Sequence, residues 1–75
     1  MDVGMLWYDN DARQNLAQKV ARAAEHYRAK YGLAPNLCFV NPALLPHGPE
    51  AAGDVQVRAA RTVLPNHFWL GVADK

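Results

Sequence analysis

Three side chains in the C-terminal half of the chain could do chemistry together if the fold placed them in one cleft. His67 could act as a general base, and Arg58 or Arg61 could stabilise the negative charge that develops when a phosphodiester is cleaved. This combination would suit a small RNase-type enzyme. It requires the imidazole to lie beside a basic cleft, because a general base works only within hydrogen-bonding distance of its substrate.

The same two arginines could instead belong to a binding surface with Trp69 and Trp7. Trp and Arg are enriched among the residues that dominate interface energies, and an arginine beside a tryptophan can also stack on nucleic acid bases. If the two C-terminal strands pair, Arg58 and Trp69 can share one face of a sheet. The alternative is a solvated sheet face on which the guanidinium simply stacks on the indole.

A second candidate surface is a basic ridge along a helix, whose side chains recur every three or four residues. Its members are Asn15, Lys19, Arg22, His26 and Lys30. The ridge spans about 22 Å at the rise of an α-helix, which is enough to follow several phosphates of a nucleic acid backbone. It could equally contact an acidic protein, or remain a solvated face whose long stems pack over the edge of the core.

The sequence lacks the residues that nucleophilic catalysis and metal binding require. The single cysteine, Cys38, lies between Leu37 and Phe39 in an apolar run, where burial would leave its thiol inert. The three histidines are not spaced as metal-ligand pairs, and the chain contains no serine. No nucleophilic catalytic set therefore stands out, and we expect no metal site and no cofactor.

Length and composition indicate one small domain, which we assign to residues 1–75. A hydrophobic content of 51% favours a folded core. A domain of this size buries little surface, and a lone cysteine cannot form an internal disulfide, so a partner or self-association is expected to add stability. Charge is uneven, because residues 12–31 hold five cations against Glu25, a net charge of +4, whereas the rest of the chain carries −3.

The sequence shows no signal peptide, and its longest apolar runs are a few residues, far below the length of a membrane span. Together with the free cysteine, this favours the cytoplasm and a partner other than a membrane.

One helix and several short strands must position these side chains. Residues 10–31 predict an amphipathic helix, in which Asp11 and Gln14 have the spacing of a capping box. Gly32 and Pro35 mark its end. The apolar stripe is about 100° wide. It consists of Leu16, Val20, Ala23, Ala24, Tyr27 and Tyr31.

Short apolar or alternating runs predict strands at residues 3–8, 37–40, 55–63 and 67–72. Residues 41–54 are rich in proline and glycine and predict a loop. The expected fold is α+β in the order β-α-β-β-β, with the helix packed on a small, mainly antiparallel sheet of three or four strands. The moderate connections after the helix favour a meander.

One helix can cover only one face of such a sheet, so the other face should expose Trp69, with Trp7 as a further candidate. The leading hypothesis is a non-enzymatic protein-interaction module, either a homo-oligomer or a small accessory subunit of a larger assembly. The alternative is a nucleic-acid-binding protein that uses the basic ridge with Arg58 and Arg61. An RNase-type enzyme is the third hypothesis.

Overall fold

The computed structural model describes residues 4–73, in which one helix packs on one sheet. The elements are β1 (Gly4–Tyr8), α1 (Leu16–Tyr31), β2 (Leu37–Val40), a 3-10 turn (Pro42–Leu44), β3 (Glu50–Ala52), β4 (Val55–Ala59) and β5 (His67–Gly71). The predicted α+β fold is confirmed. In the described range, no helix has the length and apolar character that crossing a membrane requires.

The helix begins at Leu16, several residues later than the pattern indicated. The side chain of its N-cap, Asn15, accepts a hydrogen bond from the Gln18 N–H at 2.8 Å, and the Gln18 side chain accepts one from the Asn15 N–H at 2.9 Å. This capping box replaces the one predicted at Asp11 and Gln14, which was wrong in position. Asp11 is engaged elsewhere, since hydrogen bonds from the guanidinium and the backbone N–H of Arg13 occupy its carboxylate and lower its pKa.

The apolar stripe of α1 packs on the sheet as predicted. Its buried members are Val20, Ala23 and Tyr27, and its partly buried members are Leu16, Ala24 and Tyr31. The helix ends at Tyr31, and its C-cap is Gly32, whose φ of 77° is left-handed and whose N–H donates to the Arg28 carbonyl at 2.8 Å. This is the glycine C-cap that the sequence indicated.

The sheet has five strands in the order β1-β5-β2-β4-β3. β5 lies between β1 and β2 and is antiparallel to both, β3 is antiparallel to β4, and β2 and β4 are parallel. The sheet is thus mainly antiparallel, but it is mixed and is not the expected meander. The parallel pair is possible because the long connection 41–54 returns the chain to the end at which β2 began.

The strand that raises the number to five is β3, which falls inside the segment 41–54 that was predicted to be loop. Its residues Glu50–Ala52 have low strand propensity, so no pattern reveals them. They pair with β4 because Gly53, with a φ of 59°, closes a tight hairpin. β4 itself ends at Ala59, so residues 60–63, which were predicted to be strand, lie in a connection with turns, and the turn predicted at Pro65 and Asn66 is present.

The core lies between α1 and one face of the sheet. The largest side chains fully enclosed there are Val20, Tyr27, Cys38, Val40, Val57, Phe68 and Leu70. Leu45 is also buried and joins the loop after β2 to this core. Because side chains alternate along a strand, the intervening residues face away from the helix. We call this uncovered side of the sheet the open face.

Candidate interaction surface

Four side chains form a row across the open face, one from each of four neighbouring strands. Leu6 of β1 pairs with Trp69 of β5, which pairs in turn with Phe39 of β2. Phe39 pairs on its other side with Arg58 of β4. Directly paired residues on adjacent strands lie within contact distance. Three apolar side chains and one cation therefore form a continuous strip, which we call the cross-strand row.

The indole of Trp69 covers Gly4 at the start of β1. A Cβ atom added at Gly4 would lie 2.6 Å from Cε2 and 3.0 Å from Cη2 of the indole, closer than real side chains approach. Glycine in a strand often marks such a close approach. The packing fixes the ring against β1 and leaves Trp69 half-buried, with its remaining surface on the open face.

An apolar groove of about 550 Å³ lies on the open face beside the row. It is lined by Leu6, Phe39, Ala60, Thr62, Val63, Leu64, His67 and Trp69. Leu6 and Leu64 are 58% and 65% exposed. No residue of α1 or of segment 42–54 lines this groove, and residues 60–64 form its far wall. The groove is therefore a candidate contact site.

One side chain holds the far wall of the groove in place. Asn41, which follows β2, donates from Nδ2 to the Val63 carbonyl at 3.0 Å, and its Oδ1 accepts from the Ala43 N–H at 3.0 Å. Asparagine commonly bonds nearby backbone in this way. The loop 60–64 is therefore tied directly to the end of a central strand.

The structure separates the two arginines of the candidate surface. Arg58 lies in the cross-strand row, and its Nη2 donates to Oε1 of Gln56 at 2.8 Å. Arg61 lies in the turn beyond the end of β4, where it is exposed and does not line the groove. Of the two, only Arg58 adjoins Phe39, and Trp69 lies one strand further along the row because β4 and β5 are not neighbours.

Trp7 lies on the opposite side of the sheet from Trp69. Because side chains alternate along β1, Trp7 faces the helix while Leu6 faces the groove. Its indole stacks on His26 of α1, with ring centroids 4.2 Å apart and planes inclined by 24°. Its Nε1 is buried and has no hydrogen-bond acceptor within residues 4–73. Trp7 therefore joins β1 to α1 and does not extend the open face.

The basic ridge lies along the flank of α1 that adjoins β1, as the stack of His26 on Trp7 shows. Arg22 and Lys30 are exposed and Lys19 is partly buried. The ion pair present among the described side chains joins Arg13 to Asp11, outside the ridge. The cations of the ridge thus have no carboxylate partner in this part of the chain. They lie on the helix side of the sheet, away from the cross-strand row.

His67 lies at one end of the groove. Its Nδ1 is 2.9 Å from the Pro65 carbonyl oxygen, and its ring centroid is 5.0 Å from that of Tyr8. No lysine or arginine lines the groove, and Arg58 is two strands away from His67 in the sheet. In this groove, therefore, no arginine lies beside His67 to stabilise the charge that RNase-type chemistry develops.

Cys38 is enclosed in the core. Burial raises the pKa of its thiol to about 12, so the reactive thiolate is scarce near neutral pH. Among residues 4–73, no three side chains of His, Cys, Asp or Glu come close enough together to hold a metal ion.

Three residues of this surface, Leu6, Phe39 and Leu64, were not singled out from the sequence. Phe39 lies in an unbroken apolar run, which has no alternation to show which face each residue occupies. Leu64 lies in a segment that was predicted to be connection. Leu6 follows Met5, which is buried on the helix side. Because neighbouring side chains on a strand face opposite sides, alternation places Leu6 on the open face.

The chain matches no protein-family model, and comparison with curated proteins and with solved structures gives no match. Interpretation of the surface therefore starts from its geometry.

Proposed function

We propose that this chain is a non-enzymatic protein-interaction module, an accessory subunit or homo-oligomer that binds through its open face. The observation that carries the proposal is the cross-strand row beside an uncovered apolar groove. Leu6, Trp69 and Phe39 are consecutive in that row, and Leu64 projects from the opposite wall at 65% exposure.

Binding at this surface would be driven by removal of apolar area from water, at about 25 cal/mol per Å². Trp69 is a suitable anchor because its packing on Gly4 holds the ring in place before a partner arrives, so less conformational entropy is lost on binding. Arg58, at the end of the row, can orient a partner that carries a carboxylate or carbonyl group.

Two exposed leucines provide a matched test. Leu64 lies in the groove, whereas Leu33 is 48% exposed just after the helix and lines no described groove. Light scattering across a range of concentrations should show self-association that Leu64→Glu abolishes and Leu33→Glu leaves intact. If the partner is another protein, a photoreactive residue at position 64 should crosslink to it in cells, and one at position 33 should not.

Both substitutions are at exposed positions, so both variants should fold, which circular dichroism can verify. A chain that is monomeric at all concentrations, and that gives the same crosslinks from both positions, would contradict the proposed role of the open face.

Nucleic acid binding is the alternative, and the observation in its favour is that the cations of the basic ridge have no carboxylate partner within residues 4–73. It predicts affinity for an oligonucleotide that falls steeply with salt, because bound cations release counterions from phosphates. The geometry favours it less, because Trp69 and Phe39, which could stack on bases, lie on the other side of the sheet from the ridge.

A further inference from the structure

β1 is an outer strand of the sheet, and its outer edge is unpaired within the described residues. The Asp9 N–H donates to the Asn66 carbonyl at 2.9 Å, so the main chain at Asp9 points towards β5. Main-chain groups alternate in direction along a strand, so those of Leu6 and Tyr8 point away from the sheet. No other strand in residues 4–73 pairs with them, although the neighbouring Gly4 carbonyl accepts a hydrogen bond from the Tyr31 hydroxyl at 3.4 Å.

This edge lacks the features that usually prevent another strand from pairing. The five residues Gly4–Tyr8 include no charge and no proline. The opposite edge of the sheet, β3, is only three residues long, begins with Glu50 and follows Pro49. The two edges are therefore protected unequally, and β1 is the open one.

A shallow groove of about 470 Å³ runs between this edge and the helix. It is lined by Met5, Leu6, Trp7, His26, Ala29 and Lys30. Lys30 belongs to the basic ridge, and so does Arg22, one helical turn before His26. Neither cation has a carboxylate partner in the part of the chain that the structure describes. A strand added to β1 would lie beside Lys30, with Arg22 further along the same ridge.

We infer that β1 binds an extended acidic segment of a partner protein as a sixth strand. Backbone hydrogen bonds to Leu6 and Tyr8 would supply affinity, and side-chain alternation would supply specificity. Acidic side chains would face Arg22 and Lys30, and the intervening apolar ones would continue the cross-strand row beside Leu6. The inference rests on the proposed interaction role, because it names the class of partner and how it attaches.

Charge argues against a second copy of this chain at the same edge. Two copies joined antiparallel through β1 would place their helices on the same side of the joined sheet. Their two basic ridges would then face each other, and like charges across an interface disfavour association. An acidic peptide meets the same ridge with opposite charge.

The test uses labelled synthetic peptides of about eight residues, long enough to cover a five-residue strand. One alternates Glu with Val, and the other alternates Lys with Val. Fluorescence anisotropy should show binding of the Glu-Val peptide and at least about tenfold weaker binding of the Lys-Val peptide. The backbone amide resonances of Leu6 and Tyr8 should shift when the Glu-Val peptide binds.

Charge reversal at two positions of α1 distinguishes attraction of the peptide to the basic ridge from attraction to the positive charge of the helix as a whole. Arg22→Glu combined with Lys30→Glu should weaken Glu-Val binding by about tenfold. Arg28 is an exposed helix residue outside the ridge and outside the groove. Arg28→Glu should change the affinity by less than about threefold. Lys30→Glu alone, which changes the charge by the same amount as Arg28→Glu, should also weaken binding more than Arg28→Glu does, and equal effects of these two single changes would overturn the inference.

A main-chain test distinguishes strand addition from side-chain contact. Leu6→Pro removes an N–H that takes no part in the protein's own sheet, whereas Leu6→Ala removes the side chain and keeps the N–H. Leu6→Pro should weaken binding by about fivefold more than Leu6→Ala. If Leu6→Pro fails to fold, the amide shifts of Leu6 and Tyr8 in the unmodified chain decide the question.

Failure here is distinguishable from failure of the proposed function. If Leu64→Glu abolishes association while neither peptide shifts the β1 amides, the open face binds a partner but the edge does not, and the inference is wrong. Binding of an oligothymidine through Arg22 and Lys30, without Glu-Val binding, would likewise overturn it and assign the ridge to nucleic acid.

Discussion

Trp69 and Gly4 are packed so closely that the indole occupies the volume in which any other residue at position 4 would place its Cβ. Their relationship links the middle of the open face to the outer strand. Gly4 has no side chain and leaves the space, and the indole of Trp69 fills it. The conformation of Trp69, the centre of the cross-strand row, therefore depends on the identity of residue 4.

Gly4→Ala should displace the indole and destabilise the fold. The added methyl group would clash with Trp69, and overpacking of this kind typically costs about 1–3 kcal/mol. The expected result is a lower Tm with a shifted tryptophan emission spectrum. In a Trp69→Ala background the same change at position 4 should cost clearly less, because the clash is gone. Equal costs in the two backgrounds would contradict the packing described.

Asn41→Asp should loosen the wall of the groove without disturbing the sheet. Aspartate keeps the oxygen that accepts from Ala43 but lacks the N–H that donates to the Val63 carbonyl. Hydrogen exchange in residues 61–64 should speed up while that of β2 and β5 stays unchanged, and binding at the open face should weaken. Unchanged exchange in this loop would show that the Asn41–Val63 bond does not hold it.

Asn15→Ala should destabilise the helix by about 1 kcal/mol, because it removes the N-cap acceptor and half of the capping box. Thermal unfolding provides the measurement. Asp11→Ala is the matched control, since Asp11 has the same spacing to Gln14 but bonds to the exposed Arg13 instead. It should lower stability less than Asn15→Ala, and the reverse order would place the start of the helix at residue 11.

Cys38 should resist alkylation in the native protein at pH 8 and react only after unfolding. The pKa of the thiol is raised by burial to about 12 from 9.0. Above pH 9 the unfolded chain therefore loses this proton first, and the native state holds more protons than the unfolded state. The free energy of unfolding should fall as pH rises between about 9 and 12, by on the order of 1 kcal/mol per pH unit.

The pH effect can be isolated by comparing the protein with Cys38→Ala. Tyrosine and lysine also titrate in this range, but they are present in both proteins. Only the protein with the thiol should show the extra decrease in denaturation midpoint between pH 8 and pH 10. Parallel pH profiles would mean that the thiol is accessible to solvent in the native state.

The helix was the element most readily predicted, because its signals are local. The spacing of Val20, Ala23 and Tyr27 sets the buried face, and Gly32 ends the helix. The start was misplaced because Asp11 and Asn15 are both followed three residues later by glutamine, and sequence alone does not show which of the two pairs forms. The competing hydrogen bonds of Arg13 decide that question in the folded chain.

The pairing of strands could not be predicted in the same way. β3 has no apolar pattern, and it is a strand only because the hairpin at Gly53 places it against β4. The insertion of β5 between β1 and β2 brings Trp69 beside both Leu6 and Phe39, which are distant from it in the chain. The strand order is selected by turn and packing energies over the whole sheet. A short stretch of sequence does not reveal these energies, because they arise between residues that are distant in the chain.

Local propensity and periodicity thus established one helix on a small sheet, its buried stripe, an enclosed Cys38 and an uncovered face that carries Trp69. The fold alone decided that Phe39 and Leu64 complete that surface, that Arg61 lies away from it, and that Trp7 faces the helix. The physical reason is that period and capping act over a few neighbouring residues, whereas a surface is assembled from strands that meet only when the chain closes on its core.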